Sequence, residues 1–292
     1  MSSVHWAGYA CTVVERERDV PPAGSPDQIR SIIQWRDDRR QPPEVLLLQE
    51  VNPNQRARWR ERLADRLGYQ GVVDTLDQAE ALVNSNGHLT AVRDGDISPN
   101  KFDEVQASKP AGDALAFPEK ILVSDIERAD GTIEVWNVRA VSGGSYPEEK
   151  VKLLETIYRA IEARGERPRL LAGDLNTLQE ELPDGQPVTY GYRRAPDEQS
   201  RAVATELQLL NGLGHFGLLD TFRTRHGYGP PDQLDISHDG RRIDHLFAHQ
   251  SYTPIECQYH DVPTELSDHN PITAILEPVT HPNRSHTENR TE

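Results

Sequence analysis

Apolar residues in this chain fall into short runs, and most runs are closed by a turn residue or a charged one. Val45-Leu46-Leu47-Leu48 ends at Gln49-Glu50, and Leu170-Leu171-Ala172 ends at Gly173-Asp174-Leu175-Asn176. Apolar runs of this length, bounded in this way, read as buried strands. The same pattern predicts a strand pair over residues 120–126 and 132–138, joined through Asp130-Gly131, and strands over 242–248 and 272–276. Residues 218–222 form a further short apolar segment, and residues 71–105 hold short strands broken by Asn-Gly and Asp-Gly turns. Helical spacing is clearest over 147–163, where Val151, Leu154, Ile157, Tyr158 and Ile161 recur on one face. Residues 54–67 repeat it with Trp59, Leu63 and Leu67, and 202–213 also reads as helix. Ser25 can cap a helix that has Pro26 at its first position and Ile29, Ile32, Ile33 and Trp35 along it. Residues 182–198 read as a loop-rich insertion.

Strands interspersed with helices predict one α/β domain over residues 25–278. Residues 1–24 precede it, with 5–14 as a candidate shortened first strand, and 279–292 read as a disordered polar tail. With 292 residues, 36% hydrophobic and 27% charged, the chain is long enough for one large domain with a full core. Lys plus Arg number 32 against 47 Asp plus Glu, a formal charge of −15. Such a chain repels nucleic acid and anionic membranes at long range, so nucleic-acid binding would need a local basic patch. Arg56, Arg58, Arg60, Arg62 and Arg66 are one candidate patch; a solvated helix face is the alternative. Cys11 and Cys257 form neither a metal pattern nor a disulfide framework. No apolar run approaches the roughly 18 residues of a membrane helix, and the N-terminus lacks the features of a signal peptide. The expected setting is the cytoplasm, without stable membrane association.

Four strand-end sites carry the candidate chemistry: Gln49-Glu50 in LLLQEV, Asp174 and Asn176 in GDLN, Asp244 in RRIDHLF, and Asp268-His269 in LSDHNPI. Each has an ordinary reading on its own. Asp-x-Asn after a strand is commonly a turn, Asp244 could pair with Arg241 or Arg242, and a single histidine is commonly structural. On an extended backbone Asp174 and Asn176 would face the same side. Carboxylates at buried strand ends are costly unless a metal or hydrogen bonds compensate. Several acids with one histidine therefore suit a hard cation such as Mg²⁺, which takes oxygen ligands and polarises phosphoryl oxygens. An acid beside a histidine can also orient its ring.

These four motifs, in this order, resemble those of the endonuclease/exonuclease/phosphatase family, the deoxyribonuclease I-like metal-dependent phosphohydrolases, over roughly residues 26–278. The resemblance implies a four-layer α/β/β/α sandwich of two packed mixed sheets. It also implies hydrolysis of a phosphoester by an activated water with Mg²⁺ or Mn²⁺. Carried over position by position, Glu50 would be the principal metal ligand and Asp174 would orient or deprotonate the attacking water. Asn176 would hydrogen-bond that water or the scissile phosphate. Asp244 would orient an active-site histidine or assist the metal. His269 would contact the phosphate or act as base, with Asp268 as its orienter or as a metal ligand.

Two departures from the family pattern stand out. No Trp-Asn strand precedes the first helix, since Trp6 is followed by Ala7 and no Asn occurs before Asn52. The strand over 133–138 leads into Arg139, where the family places a catalytic histidine. Arginine cannot serve as general acid at neutral pH, but it can clamp a phosphate. The first expectation is thus a phosphodiesterase, a nuclease with nucleic acid as its partner. The alternatives are a hydrolase of a small phosphorylated metabolite or lipid headgroup, and a catalytically impaired phosphate-binding relative.

Overall fold

The computed structural model describes residues 43–78, 86–100, 115–129, 131–228, 236–262 and 267–279. The segment 1–24, the helix expected from Ser25, Asp130 of the expected turn, and residues 280–292 of the expected tail lie outside the described residues.

The apolar runs sort into strands as their alternation requires. In β1 (Val45–Val51), Val45 and Leu47 face one core while Leu46 and Leu48 face another. β1 pairs antiparallel with β3 (Gly87–Val92), which pairs with β2 (Gly71–Asp74), giving the order β1-β3-β2. The larger sheet contains β4 (Asp96–Pro99), β5 (Ile121–Arg128), β6 (Gly131–Arg139), β7 (Arg169–Asp174), β10 (Leu218–Asp220) and β11 (Asp244–His249). Its order is β10-β11-β7-β6-β5-β4. Only the β6–β7 pair within it is parallel, so the sheet is mixed. A parallel pair needs a long crossover, and helix α3 (Pro147–Arg164) lies in that connection.

Three apolar clusters define four layers. Val45, Leu47 and Val92 meet Val135, Leu170, Ala172 and Leu246 of the larger sheet between the two sheets. The hairpin of β12 (Tyr252–Tyr259) and β13 (Ile272–Pro278) adds Cys257, Ile272 and Ala274 to this same layer. On the outer side of the larger sheet, Trp136, Leu171 and Phe247 pack on Leu153, Leu154, Ile157 and Ile161 of α3. Leu209 of helix α4 (Pro196–Leu210) joins them. On the other outer side, Leu46, Leu48 and Leu89 pack on Trp59 and Leu63 of helix α1 (Arg56–Leu67). The result is the expected α/β/β/α sandwich.

Several elements differ from the sequence reading. Residues 182–198 are less loop-like than predicted. A small hairpin of β8 (Leu178–Glu181) and β9 (Pro187–Thr189) enters that region, a 3-10 turn covers Tyr190–Arg193, and α4 already starts at Pro196. Pro196 suits the first helical turn, where no intrahelical N–H is needed. A four-residue helix α2 (Thr75–Gln78) follows β2, and the short helix α5 (Thr221–His226) follows β10. Asp220 caps α5 by accepting the Arg223 N–H at 3.1 Å. Strand β12 was not predicted; only Pro254, Cys257 and Tyr259 along it are buried, and Ile255 faces outward with Thr253, Glu256 and Gln258, so no apolar run or strict alternation marks it.

A buried ionic network ties the β8–β9 hairpin to the start of β11. Arg242 Nη1 donates to Asp220 Oδ2 at 2.7 Å, and Arg242 Nε donates to Glu181 Oε2 at 3.3 Å. Arg223 Nε donates to Glu181 Oε1 at 2.6 Å. Burial pushes both carboxyls up, but Arg242 and His245 beside Asp220, and Arg223 and Arg242 beside Glu181, outweigh it and hold both below the usual carboxylate range. Depressed folded-state values mean that this stabilisation is complete above about pH 4 and fades as pH falls through the lower folded values. Asp220→Ala, which strands part of the Arg242 charge, is expected to cost about 3–5 kcal/mol in urea unfolding at pH 7. The gap between variant and wild type should narrow as unfolding is repeated at lower pH. A gap independent of pH would refute the assignment.

Candidate active site

The site lies where β1, β6 and β7 end and β11 begins. Gly173 sets the approach of β7 to β6: its φ is 145°, and a Cβ there would lie 1.8 Å from the Val138 carbonyl oxygen. Glycine permits that contact, and the next residue is Asp174. The parallel register then sets Asp174 beside Arg139, and the antiparallel register sets it beside Asp244. On the opposing sheet, β1 breaks register with β3 between Leu48 and Val51, and Glu50 in that break has φ 56°. Asn137, fully buried, joins the sheets beneath it. Its Nδ2 donates to the Leu89 carbonyl at 2.8 Å, and its Oδ1 accepts from Gln49 Nε2 at 2.6 Å.

Contacts run from Glu50 through Arg139 to Asp174, which faces Asp244 across the strands, and Asp244 holds His269. Arg139 Nη1 donates to Glu50 Oε1 at 2.8 Å, and Arg139 Nε stands 3.7 Å from Asp174 Oδ2. Asn176 donates its backbone N–H to Asp174 Oδ1 at 2.8 Å and its Nδ2 to Asp174 Oδ2 at 2.7 Å. His269 Nδ1 lies 2.7 Å from Asp244 Oδ2. Ser237 Oγ accepts the Asp244 N–H at 3.0 Å, and the Tyr259 hydroxyl donates to the Asp244 carbonyl. Asp174 and Asp244 are 1% and 0% exposed. Burial first, and then repulsion from Asp244, push the Asp174 carboxyl up; His269, Arg139 and the Asn176 N–H oppose this. For His269 burial acts downward, but the bonded Asp244 carboxylate, with Asp174 and Asp268, outweighs it and raises the ring to about 9. The imidazole is therefore protonated at neutral pH, and its Nε2 has no protein partner among the described residues.

All seven expected site residues converge at this edge, with three changes of detail. Asp174 and Asn176 do not face one side of an extended strand. β7 ends at Asp174, and Asn176 turns back in the left-handed region at φ 48°, so that its side chain meets the Asp174 carboxylate. The orienter of His269 is Asp244, 25 positions away, while Asp268 uses its backbone carbonyl to hold His238 Nδ1 at 2.8 Å. Asp244 does not pair with either neighbouring arginine. Arg241 binds Asp239, and Arg242 binds Asp220 and Glu181.

Four nearby residues were not singled out by sequence. His238 stacks on His269 with ring centroids 4.3 Å apart and planes at 20°. Lys150, 1% exposed within the apolar face of α3, donates to the Asn176 carbonyl at 2.6 Å and also binds Glu206. His88 on β3 is 1% exposed and pushed down to about 3 by burial, with Lys120 adding to the effect. Ser237 belongs to a turn closed by paired hydrogen bonds between His238 and Arg241. Lys150 alone left a legible mark, a charge at a position where the helical pattern expects an apolar residue.

Residues 14–269 match a family model described as the endonuclease/exonuclease/phosphatase family. No curated protein matches the sequence. Among solved structures, an endonuclease/exonuclease/phosphatase from Beutenbergia cavernae DSM 12333 is 20% identical with a TM-score of 0.55, over 94% of this chain and 72% of that one. An AP endonuclease from Leishmania major is 14% identical with a TM-score of 0.60, over 94% and 88% of the two chains. ANGEL2, described as a 2',3'-cyclic phosphatase in complex with adenosine-2',3'-vanadate, is 11% identical with a TM-score of 0.53, over 95% and 97%. At these identities the likeness establishes a shared fold, the deoxyribonuclease I-like one. No helix among the described residues is long and apolar enough to cross a membrane.

The electrostatics of the histidine can be checked directly. In an NMR titration His269 should keep its proton to about pH 9, and in Asp244→Asn its pKa should fall back toward the ordinary 6.5. An unchanged value in the variant would remove Asp244 as the cause.

Proposed function

This chain belongs to the endonuclease/exonuclease/phosphatase family, and from that membership we propose that it is a metal-dependent phosphodiesterase, a nuclease in the first instance, that attacks its substrate with an activated water. The observation that carries the reading is the buried Asp174–Asp244 pair with Asn176 on one side and His269 on the other. The donor set fits a hard divalent cation. Glu50 offers a partly exposed carboxylate, and Asp244 Oδ1 is buried with no hydrogen-bond partner among the described residues. Glu50 and Asp268 would hold Mg²⁺ or Mn²⁺, which when bound supplies charge to polarise the phosphoryl oxygen and steady the leaving oxyanion.

The protein groups divide the remaining work. Asp174, with its raised pKa, holds the water and accepts its proton. Asn176 has both Nδ2 hydrogens engaged, by Asp174 and by the Ala140 carbonyl at 2.9 Å, so its Oδ1 is the atom left to orient the water. Protonated His269 donates through Nε2 to a phosphate oxygen or to the leaving group, and so acts as donor and acid, not as base. Arg139 spends one N–H on Glu50 and keeps others for the phosphate.

The small-phosphoester alternative draws on one observation. Arg56 and Arg60, candidates for a duplex-attracting patch, are bound to Asp74 at 2.5 and 2.6 Å, and Arg60 also reaches Asp77 at 2.7 Å. Their charge is neutralised within the fold, which leaves less attraction for a duplex backbone.

Purified protein with Mg²⁺ or Mn²⁺ is expected to hydrolyse bis-p-nitrophenyl phosphate and single-stranded DNA. Asp174→Ala and His269→Ala should each lose at least about a hundredfold in rate, the scale of acid–base catalysis. Equal rates in wild type and both variants would sink the enzyme reading in favour of a phosphate-binding relative. Arg139 competes with a metal for Glu50, so Arg139→Gln should bind Mg²⁺ about two- to fivefold more tightly by calorimetry, the scale of a partly exposed ion pair, while KM rises. Unchanged Mg²⁺ affinity would place the metal away from Glu50.

A further inference from the structure

We propose that His238, Asp268 and His269 form a second cation site, selective for a borderline transition ion such as Zn²⁺ or Co²⁺ over Mg²⁺. One ligand atom from each of the three residues lies within 4.8 Å of the other two. Both imidazoles are held from behind. His238 Nδ1 is bonded to the Asp268 backbone carbonyl at 2.8 Å and His269 Nδ1 to Asp244 at 2.7 Å, which leaves both Nε2 atoms as the available nitrogens. An oxygen acceptor on the far nitrogen is the arrangement that fixes the tautomer of a metal-bound histidine and raises its basicity. The stacked rings at 4.3 Å set the two Nε2 atoms on neighbouring planes.

Chemistry separates the two imidazoles from the Glu50 side, and Asp268 is the one carboxylate that the two cations would share. Two imidazoles and one carboxylate suit zinc or cobalt, whereas Mg²⁺ takes oxygen ligands and keeps its waters. Ligands on one zinc are spaced by about 3.3 Å given its bond lengths. The three atoms lie within 4.8 Å, so closure asks for an approach of up to roughly 1.5 Å; because imidazole lone pairs lie in the ring planes, the two rings tilt toward each other about their side-chain torsions and give up part of the stack. His238 sits on the turn that also carries Ser237, whose hydroxyl fixes the Ile243 and Asp244 N–H groups, so the turn is itself anchored to the site strand. Occupancy has a functional consequence that rests on the reading above: a zinc ion on Nε2 of His269 removes that nitrogen from the phosphate. Zinc is then an inhibitor of a magnesium-supported reaction.

The binding claim is tested without turnover. Full-length protein in millimolar Mg²⁺ is titrated with Co²⁺ and followed by its visible absorption, and zinc-loaded protein is examined by X-ray absorption at the zinc edge. The expected results are one Co²⁺ retained against Mg²⁺ and zinc scattering with two imidazole ligands. His238→Ala and His238→Gln should weaken Co²⁺ by at least about tenfold, the lower range for loss of groups that support a metal. Zinc scattering without imidazole in the wild type, or equal Co²⁺ affinity in folded His238 variants, would overturn the site. Hydrolysis with Mg²⁺ alone tests the enzymatic reading separately, since a metal-binding failure leaves it intact and a catalytic failure leaves the spectra unchanged. Inhibition by Zn²⁺ that is relieved in His238→Gln completes the case; zinc that binds through two imidazoles without inhibiting Mg²⁺ turnover would overturn the regulatory consequence.

Discussion

Two carboxylates, Asp174 and Asp244, occupy facing register positions on adjacent strands and are almost wholly withdrawn from water. Like charges so placed cannot both stay ionised unless positive charge surrounds them. The rest of the site can be understood as the answer to that requirement. His269 answers from the Asp244 side as an imidazolium, Arg139 from the Asp174 side, and the Asn176 N–H groups satisfy what remains of the Asp174 oxygens. A divalent cation would be the strongest answer of all, and one buried oxygen of Asp244 still lacks a partner among the described residues. The pair is a liability for folding and an asset for chemistry, since it leaves a carboxyl with raised pKa next to a protonated imidazole.

The backbone shares that cost. Glu50 and Asn176 both adopt positive φ without being glycine, at 56° and 48°. Conformations of this kind cost about 1–3 kcal/mol and persist where surrounding structure fixes them. For Asn176 the fixing bonds run to Asp174 and Ala140; for Glu50 the register break in β1 and the Arg139 ion pair do the same work. Strain therefore falls on two of the seven residues that the motifs marked, and the ionic network around Arg242 anchors the strand that carries a third.

The sequence revealed most of the framework because burial on both faces leaves a plain mark. β1, β6, β7, β11 and α3 each follow an apolar run or a helical repeat, and their ends carry Glu50, Arg139, Asp174 and Asp244. What was hidden depends on contacts between distant positions. The partner of His269 is Asp244 and not the adjacent Asp268, because backbone direction at Asp268 turns its carbonyl toward His238. β12 escaped because its buried positions, Pro254, Cys257 and Tyr259, form neither an apolar run nor a strict alternation, and the β8–β9 hairpin because a loop-like composition conceals three- and four-residue strands. Arg139 was legible as a departure, but its engagement with Glu50 was not.

That engagement bears on how far the chain departs from its family. A guanidinium 2.8 Å from Glu50 and 3.7 Å from Asp174 already bridges the two carboxylates. It supplies one fixed positive charge where a divalent ion would supply two, and it brings no coordinated water to activate. Arginine at this position thus balances both carboxylates by itself. On the proposed reading His269, Asp174 and Asn176 keep their roles, and the arginine would make metal entry at Glu50 an exchange of partners. On the same reading, catalysis would depend on whether a divalent ion displaces the guanidinium toward a substrate phosphate, where its remaining N–H groups are matched to two oxygens at once.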